Sequence, residues 1–216
     1  MAASNAEMVS GLRAQGFATP RVAEAMLKVD RLLFMPERFR QYAYADYPVP
    51  IGFGQTISAP GVVAIMSSEL DVQPGMSVLE VGTGSGYQAA ILAELAGSRG
   101  KVFSIERIPE ARGLAKDNLA KSGHAGIRLF VGDGSMGLPG EAPFDRIIVT
   151  AASPAVPPAL VAQLKDGGKL VIPVGSAYSQ ELVLVEKRGG DVSERRLLPV
   201  VFVPLIGEHG FVGEKA

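Results

Sequence analysis

Val78-Leu79-Glu80-Val81-Gly82-Thr83-Gly84-Ser85-Gly86-Tyr87 decides the fold, because an apolar run that reads as a buried strand turns through three alternating glycines straight into a helical pattern. Gly82, Gly84 and Gly86 permit backbone conformations closed to residues with a Cβ and let a ligand touch main chain, so the loop is a candidate ligand floor. A dinucleotide-binding fold carries G-x-G-x-x-G at this point. Here the third glycine comes one position early and Tyr87 stands where it would be needed.

Working outward, residues 89–95 continue as an apolar helix closed by Gly97, and residues 101–105 form a strand that ends in Glu106. A proline-led helix over 109–122, a strand at 127–131, a strand at 144–150, a helix at 157–165 and a strand at 169–174 follow. This alternation predicts a parallel sheet covered by helices on both faces. Residues 181–185 and 192–199, separated by Gly189-Gly190-Asp191, read as an antiparallel hairpin added to one edge. Upstream, helices are predicted over 6–15, stopped by Gly16, and from the Thr19-Pro20 cap onward. Residues 31–60 show neither helical nor strand period and read as a long aromatic-rich connection, the kind that is often functional. From Gly61 a further helix leads to the Gln73-Pro74-Gly75 turn. The expected architecture is therefore α/β: a Rossmann-like, doubly wound, mostly parallel sheet with an antiparallel C-terminal hairpin and a small N-terminal helical cap. One domain over 1–216 is expected, divided into a cap and substrate-side loop (1–60), a cofactor-binding core (61–198) and a C-terminal substrate-side segment (199–216).

Composition narrows the chemistry. In 216 residues, 47% hydrophobic, there is no cysteine, so disulfides, zinc–thiolate sites and thiol nucleophiles are excluded; with two distant histidines, His124 and His209, no metal site is expected. A formal charge of -1 gives no general attraction to nucleic acid or anionic membrane. No leader pattern and no apolar run long enough to span a bilayer is visible, so a cytoplasmic monomer without nucleic-acid or membrane partners is expected.

In a doubly wound sheet, ligands gather beyond the carboxyl ends of the strands at the switch in strand order. Glu106, twenty positions after Gly86, is placed to accept hydrogen bonds from both hydroxyls of a ribose, or else is an ordinary exposed strand-end glutamate. Asp133, between Gly132 and Gly134, reads as a tight turn that also contacts a base amino group. Glu80 lies inside the strand, where an unpaired carboxylate is costly, so it binds nearby amides and pins the loop or meets a cationic ligand. The chain has no G-x-x-x-x-G-K-[ST], and the loop holds no lysine, which excludes a P-loop NTPase. A nucleoside without a phosphate chain, held by a glycine loop and two carboxylates, matches S-adenosylmethionine.

With Glu80 to Gly86, Glu106 and Gly132-Asp133-Gly134 in register, the chain resembles the class I S-adenosylmethionine-dependent methyltransferases. Tyr47-Pro48-Val49-Pro50-Ile51-Gly52, Gly54-Gln55-Thr56-Ile57-Ser58-Ala59-Pro60, Pro143-Phe144-Asp145-Arg146-Ile147-Ile148-Val149-Thr150-Ala151-Ala152 and Phe202-Val203-Pro204-Leu205 are similar to the protein-L-isoaspartate O-methyltransferases, over about residues 6–210. Gly61 departs from that pattern, in which an aromatic residue or histidine commonly follows the Ala-Pro step. The resemblance implies methyl transfer from S-adenosylmethionine, leaving S-adenosylhomocysteine, to the free α-carboxyl of L-isoaspartyl residues in damaged proteins and peptides. The ester then closes to a succinimide that reopens in part as normal aspartate. By resemblance Ser58 is the active-site residue and a substrate contact; from the sequence alone it is a helix N-cap. Thr56, Ile57, Ser58, Glu80, Gly82, Gly84, Gly86, Glu106, Asp133 and Gly134 are the implied cofactor-binding residues, and the Val203 backbone is an implied peptide contact or else part of a core strand. Rival readings are another class I methyltransferase acting on a small molecule or nucleic acid, a non-catalytic nucleotide-binding domain, and a dehydrogenase. Against base methylation, Thr150-Ala151-Ala152-Ser153 stands where an (Asp/Asn)-Pro-Pro-(Tyr/Phe) element is expected.

Overall fold

The computed structural model describes residues 2–212. Met1 and the end of the expected 199–216 segment lie outside them. Helix α1 (Asn5–Ala14) is capped by the Ser4 hydroxyl, and α2 (Pro20–Lys28) by Thr19, with proline in the first turn where its missing N–H costs nothing. Two 3-10 turns, Arg31–Phe34 and Glu37–Tyr42, occupy part of the aromatic connection.

The same connection also contains a two-stranded antiparallel sheet, β1 (Val49–Gly52) with β2 (Gln55–Ile57), which the sequence reading did not anticipate. Its strands are three and four residues long, and its turn, Phe53-Gly54, lacks the Asn-Gly signature of a two-residue hairpin. Helix α3 (Pro60–Leu70) then leads to β3 (Ser77–Val81), α4 (Tyr87–Ala96), β4 (Lys101–Glu106), α5 (Pro109–Lys121), β5 (Arg128–Val131), β6 (Phe144–Val149) and α6 (Pro158–Ala162). Strands β7 (Leu164–Gly175), β8 (Gln180–Arg188) and β9 (Asp191–Val200) complete the chain's large sheet. Helix α6 is shorter than the 157–165 expected, because β7 begins at Leu164, opposite Phe144, and an irregularity in its pairing with β6 takes up the residues before Lys169.

The sheet order is β5-β4-β3-β6-β7-β8-β9. The first five of these strands pair in parallel, and β8 and β9 add antiparallel to the edge. The chain winds outward from β3 through β4 to β5, then returns to the other side of β3 as β6, so the switch point lies at the carboxyl end of β3. Both faces are buried, and alternate residues serve opposite faces. Val78, Ile148 and Val171 pack with Met8, Met26, Met66 and Leu92 of the helices, whereas Leu79, Ile147 and Ile172 pack with Leu160 and Leu205. Ile148 is fully buried at the centre. Replacing it with alanine should destabilise the fold by about 2–5 kcal/mol, the usual range for deleting a large aliphatic group from a core, measurable by urea denaturation.

Candidate active site

Beyond β3 the glycine loop is held on three sides. Gly82 N–H donates to the Ile105 carbonyl of β4 (2.9 Å), and Gly86 N–H to Thr83 O (2.8 Å). The Thr150 hydroxyl at the end of β6 donates to Gly82 O (2.6 Å). Gly82 has φ +97, and a Cβ there would stand 2.4 Å from Thr150 Oγ1, so no other residue fits.

Glu106 closes the loop from the neighbouring strand. Its Oε2 accepts the Gly84 N–H and its Oε1 the Ile108 N–H, each at 3.0 Å. At 7% exposure it is no ordinary surface glutamate. It lines a cleft, partly open to solvent, together with Gly82, Gly84, Gly134, Thr150 and Arg107.

Glu80 lies beneath this floor rather than on it. Fully buried, it accepts from Ser104 Oγ, which is itself 2.6 Å from Thr83 Oγ1 of the loop, while Glu80 Oε1 has no partner. Burial pushes its carboxyl up to about 8; the Ser104 hydrogen bond opposes that rise and the nearby Glu106 charge adds to it. At neutral pH Glu80 is therefore a protonated strut behind the loop, and the cleft floor carries the negative charge of Glu106 without a second one beside it.

Asp133 has its carboxylate engaged within the protein. Its Oδ1 accepts the Ser135 N–H (2.9 Å) and hydroxyl (2.7 Å), and its Oδ2 accepts the Glu208 N–H (2.8 Å). Burial alone would raise its pKa, but these donors hold it below the usual carboxylate value. The residue caps a 3-10 turn and ties down the C-terminal segment, while its neighbour Gly134 reaches the cleft wall.

Gln55, Thr56, Ile57 and Ser58 form the facing wall. Ser58 is not the N-cap of α3: Ala59 holds that position with no side-chain bond. The cap comes instead from Asp46, fifteen residues upstream, whose Oδ1 accepts the Gly61 N–H at 2.7 Å. Gly61 makes this possible, since a Cβ there would lie 2.7 Å from Asp46 Oδ2. The Ser58 hydroxyl is thereby left to the cleft. Val203 to Ile206 supply a third wall, and the Val203 carbonyl accepts the Ala152 N–H at 2.8 Å, which commits that oxygen to the protein.

Two further residues were invisible to pattern reading. Tyr87 lines the cleft and is packed edge-on against Phe34 (5.5 Å) with the Arg31 guanidinium 5.1 Å from its ring centroid. Arg31 is fully buried, its pKa is pushed down to about 10 by that burial, and none of its side-chain nitrogens has a hydrogen-bond partner. A charged residue gives no sequence signal for burial. Among the described residues there is no cluster of His, Asp or Glu able to hold a metal ion, and no helix is long and apolar enough to cross a membrane.

The geometry agrees with comparisons to known proteins. The family model for protein-L-isoaspartate(D-aspartate) O-methyltransferase matches residues 3–210. A protein-L-isoaspartate O-methyltransferase of Methanopyrus kandleri is 55% identical over 207 residues, covering 94% of this chain and 92% of the relative. One from Pyrococcus horikoshii is 52% identical over 206 residues, covering 94% and 93%. Among solved structures, one from Plasmodium falciparum assigned to the same enzyme, in complex with S-adenosyl-L-homocysteine, superposes with a TM-score of 0.86 at 28% identity, covering 95% of this chain and 99% of that one.

The buried Glu80 carboxyl sets a pH dependence. Its ordinary value is 4.5 and its folded value about 8, so its contribution to stability is fully present below 4.5 and is lost as pH rises through 8. Chemical denaturation across that window should show wild-type stability falling with pH and a shallower slope for Glu80→Gln, so that the variant gains on wild type as pH rises from 4.5 to 8 and holds that gain above it.

Proposed function

The chain belongs to the protein-L-isoaspartate(D-aspartate) O-methyltransferase family, and on that premise we propose that its cleft transfers the methyl group of S-adenosylmethionine to the free α-carboxyl of L-isoaspartyl residues in damaged proteins and peptides. The observation that carries this reading is the Ser58 hydroxyl, released from helix capping by Asp46 and lining the same cleft as Glu106 and the glycine loop.

The residues present fit the donor. Each Glu106 oxygen already accepts one backbone N–H and retains a lone pair, so the carboxylate is able to hold the two hydroxyls of a ribose. Gly82 and Gly84 leave main chain open at the floor, whereas Gly86 packs against Leu119 and Ala115 of α5; Gly134 joins the wall, and Thr56 and Ile57 close over from the hairpin. Glu80 and Asp133 support these contacts from behind, the first through Ser104 and Thr83, the second through the turn that carries Gly134. S-adenosylmethionine supplies an electrophilic methyl group on a cationic sulfur.

The acceptor is a carboxylate with an ordinary pKa near 4, already ionised at neutral pH, so no residue of the cleft has to take a proton. Ser58 donates a hydrogen bond to one acceptor oxygen and aims the other. Val203 offers its N–H to the peptide backbone. Thr56, Ile57, Leu205 and Ile206 keep water from the reacting atoms. Catalysis on this account is alignment, which is worth several orders of magnitude when reacting atoms are held in line. We read the chain further as one domain acting as a cytoplasmic monomer, without nucleic-acid or membrane partners; its formal charge of -1 supports the last of these, since it gives no general attraction to either polyanion.

Purified protein should transfer labelled methyl to an isoaspartyl peptide and not to its aspartyl isomer; equal labelling of the two would end this reading. Ser58→Ala should lower turnover about 10- to 100-fold, the value of one hydrogen bond to a charged group, with S-adenosylhomocysteine affinity unchanged by titration calorimetry.

A further inference from the structure

Among the described residues, two that are not glycine adopt a left-handed backbone, Asp71 (φ +54) and Phe53 (φ +56). Asp71 is explained by the fold: it ends α3 with its N–H on Ser67 O and its carboxylate 3.7 Å from Lys169. Phe53 is not. It occupies the first position of the two-residue turn between β1 and β2, where Asn or Gly is favoured and a bulky side chain is strained. The residue is 48% exposed and belongs to neither hydrophobic cluster. Tyr47, at the other end of the hairpin and also exposed, packs on Tyr42 (6.0 Å between centroids), but Phe53 is in no aromatic pair among the described residues. A strained residue whose side chain does nothing for the core points to a role outside it.

Its position says which. The hairpin lies over the glycine loop, with Ile51 Cδ1 3.7 Å from where a Gly84 Cβ would stand, and β2 runs directly from the turn into the cleft wall at Gln55 to Ser58. We propose that Phe53 is a specificity-determining residue that docks an apolar side chain of the acceptor peptide at the rim of the cleft. The proposal rests on the reading of that cleft as a peptide methyltransferase site. A strand rises about 3.4 Å per residue, so the step from Gln55 to Ser58 covers about 10 Å and an extended peptide with its acceptor at Ser58 brings its third or fourth neighbouring residue to Phe53.

The test is a set of isoaspartyl peptides of serine background in which a single leucine is moved one to five positions from the isoaspartate on either side. With wild type, KM should fall about fivefold when leucine stands three or four positions away on one side, the scale of partial burial of an aliphatic side chain. Phe53→Asn, which installs the favoured Asn-Gly turn, should abolish that position dependence while melting temperature holds or rises and S-adenosylhomocysteine affinity stays constant. Phe53→Trp should restore the preference. A wild-type KM indifferent to leucine position, an unaltered preference in Phe53→Asn, or a loss of stability or S-adenosylhomocysteine affinity in that variant would each overturn the proposal. Absence of transfer to every isoaspartyl peptide by wild type would instead overturn the reading on which it rests.

Discussion

The Glu106 carboxylate, bonded at once to the Gly84 and Ile108 amides, is the interaction on which the site depends. Parallel strands diverge at the switch point, and the loop leaving β3 has no partner strand of its own beyond Gly82. A carboxylate from β4 gives that loop a fixed acceptor, and Thr150 from β6 fixes it from the other side. Glycine at position 82 is the steric condition for that grip. The buried Glu80 would place a second negative charge close to the first, but burial keeps it protonated near neutral pH. One acidic side chain is thus left charged at the floor and the other made a neutral support.

The opposite wall obeys a similar division of labour. Capping the α3 N-terminus is a task that a serine before the helix ordinarily performs. Asp46 performs it from a distance because Gly61 leaves room, so the adjacent hydroxyl is spared for the acceptor. Since the acceptor arrives ionised, the wall has only to orient it and exclude water. This accounts for a cleft with neither histidine nor thiol among its lining residues.

Much of this was legible in the chain. The core strands are mostly apolar because both faces are covered, and the three glycines together with the strand–helix alternation around them mark the loop at the switch point. What remained hidden has physical causes. The β1–β2 hairpin escaped because its strands are very short and its turn uses Phe-Gly. Asp133 follows the end of its strand as expected, but its carboxylate also accepts from Ser135 and from Glu208, and the second of these comes from a segment 75 positions away. Asp46 and Arg31 act through tertiary packing, which no local pattern encodes. Ser58 had a local explanation as a cap and a family explanation as an active-site residue; the observed cap at Ala59 removes the first.

The central claim is that a single carboxylate both holds the glycine loop and receives the nucleoside. Titration calorimetry of S-adenosylhomocysteine into wild type and Glu106→Ala, with folding of the variant verified by its melting transition, tests it most directly. Loss of hydrogen bonds to a charged acceptor predicts affinity weakened by about 10- to 100-fold or more. A folded Glu106→Ala protein that binds as tightly as wild type would contradict the account.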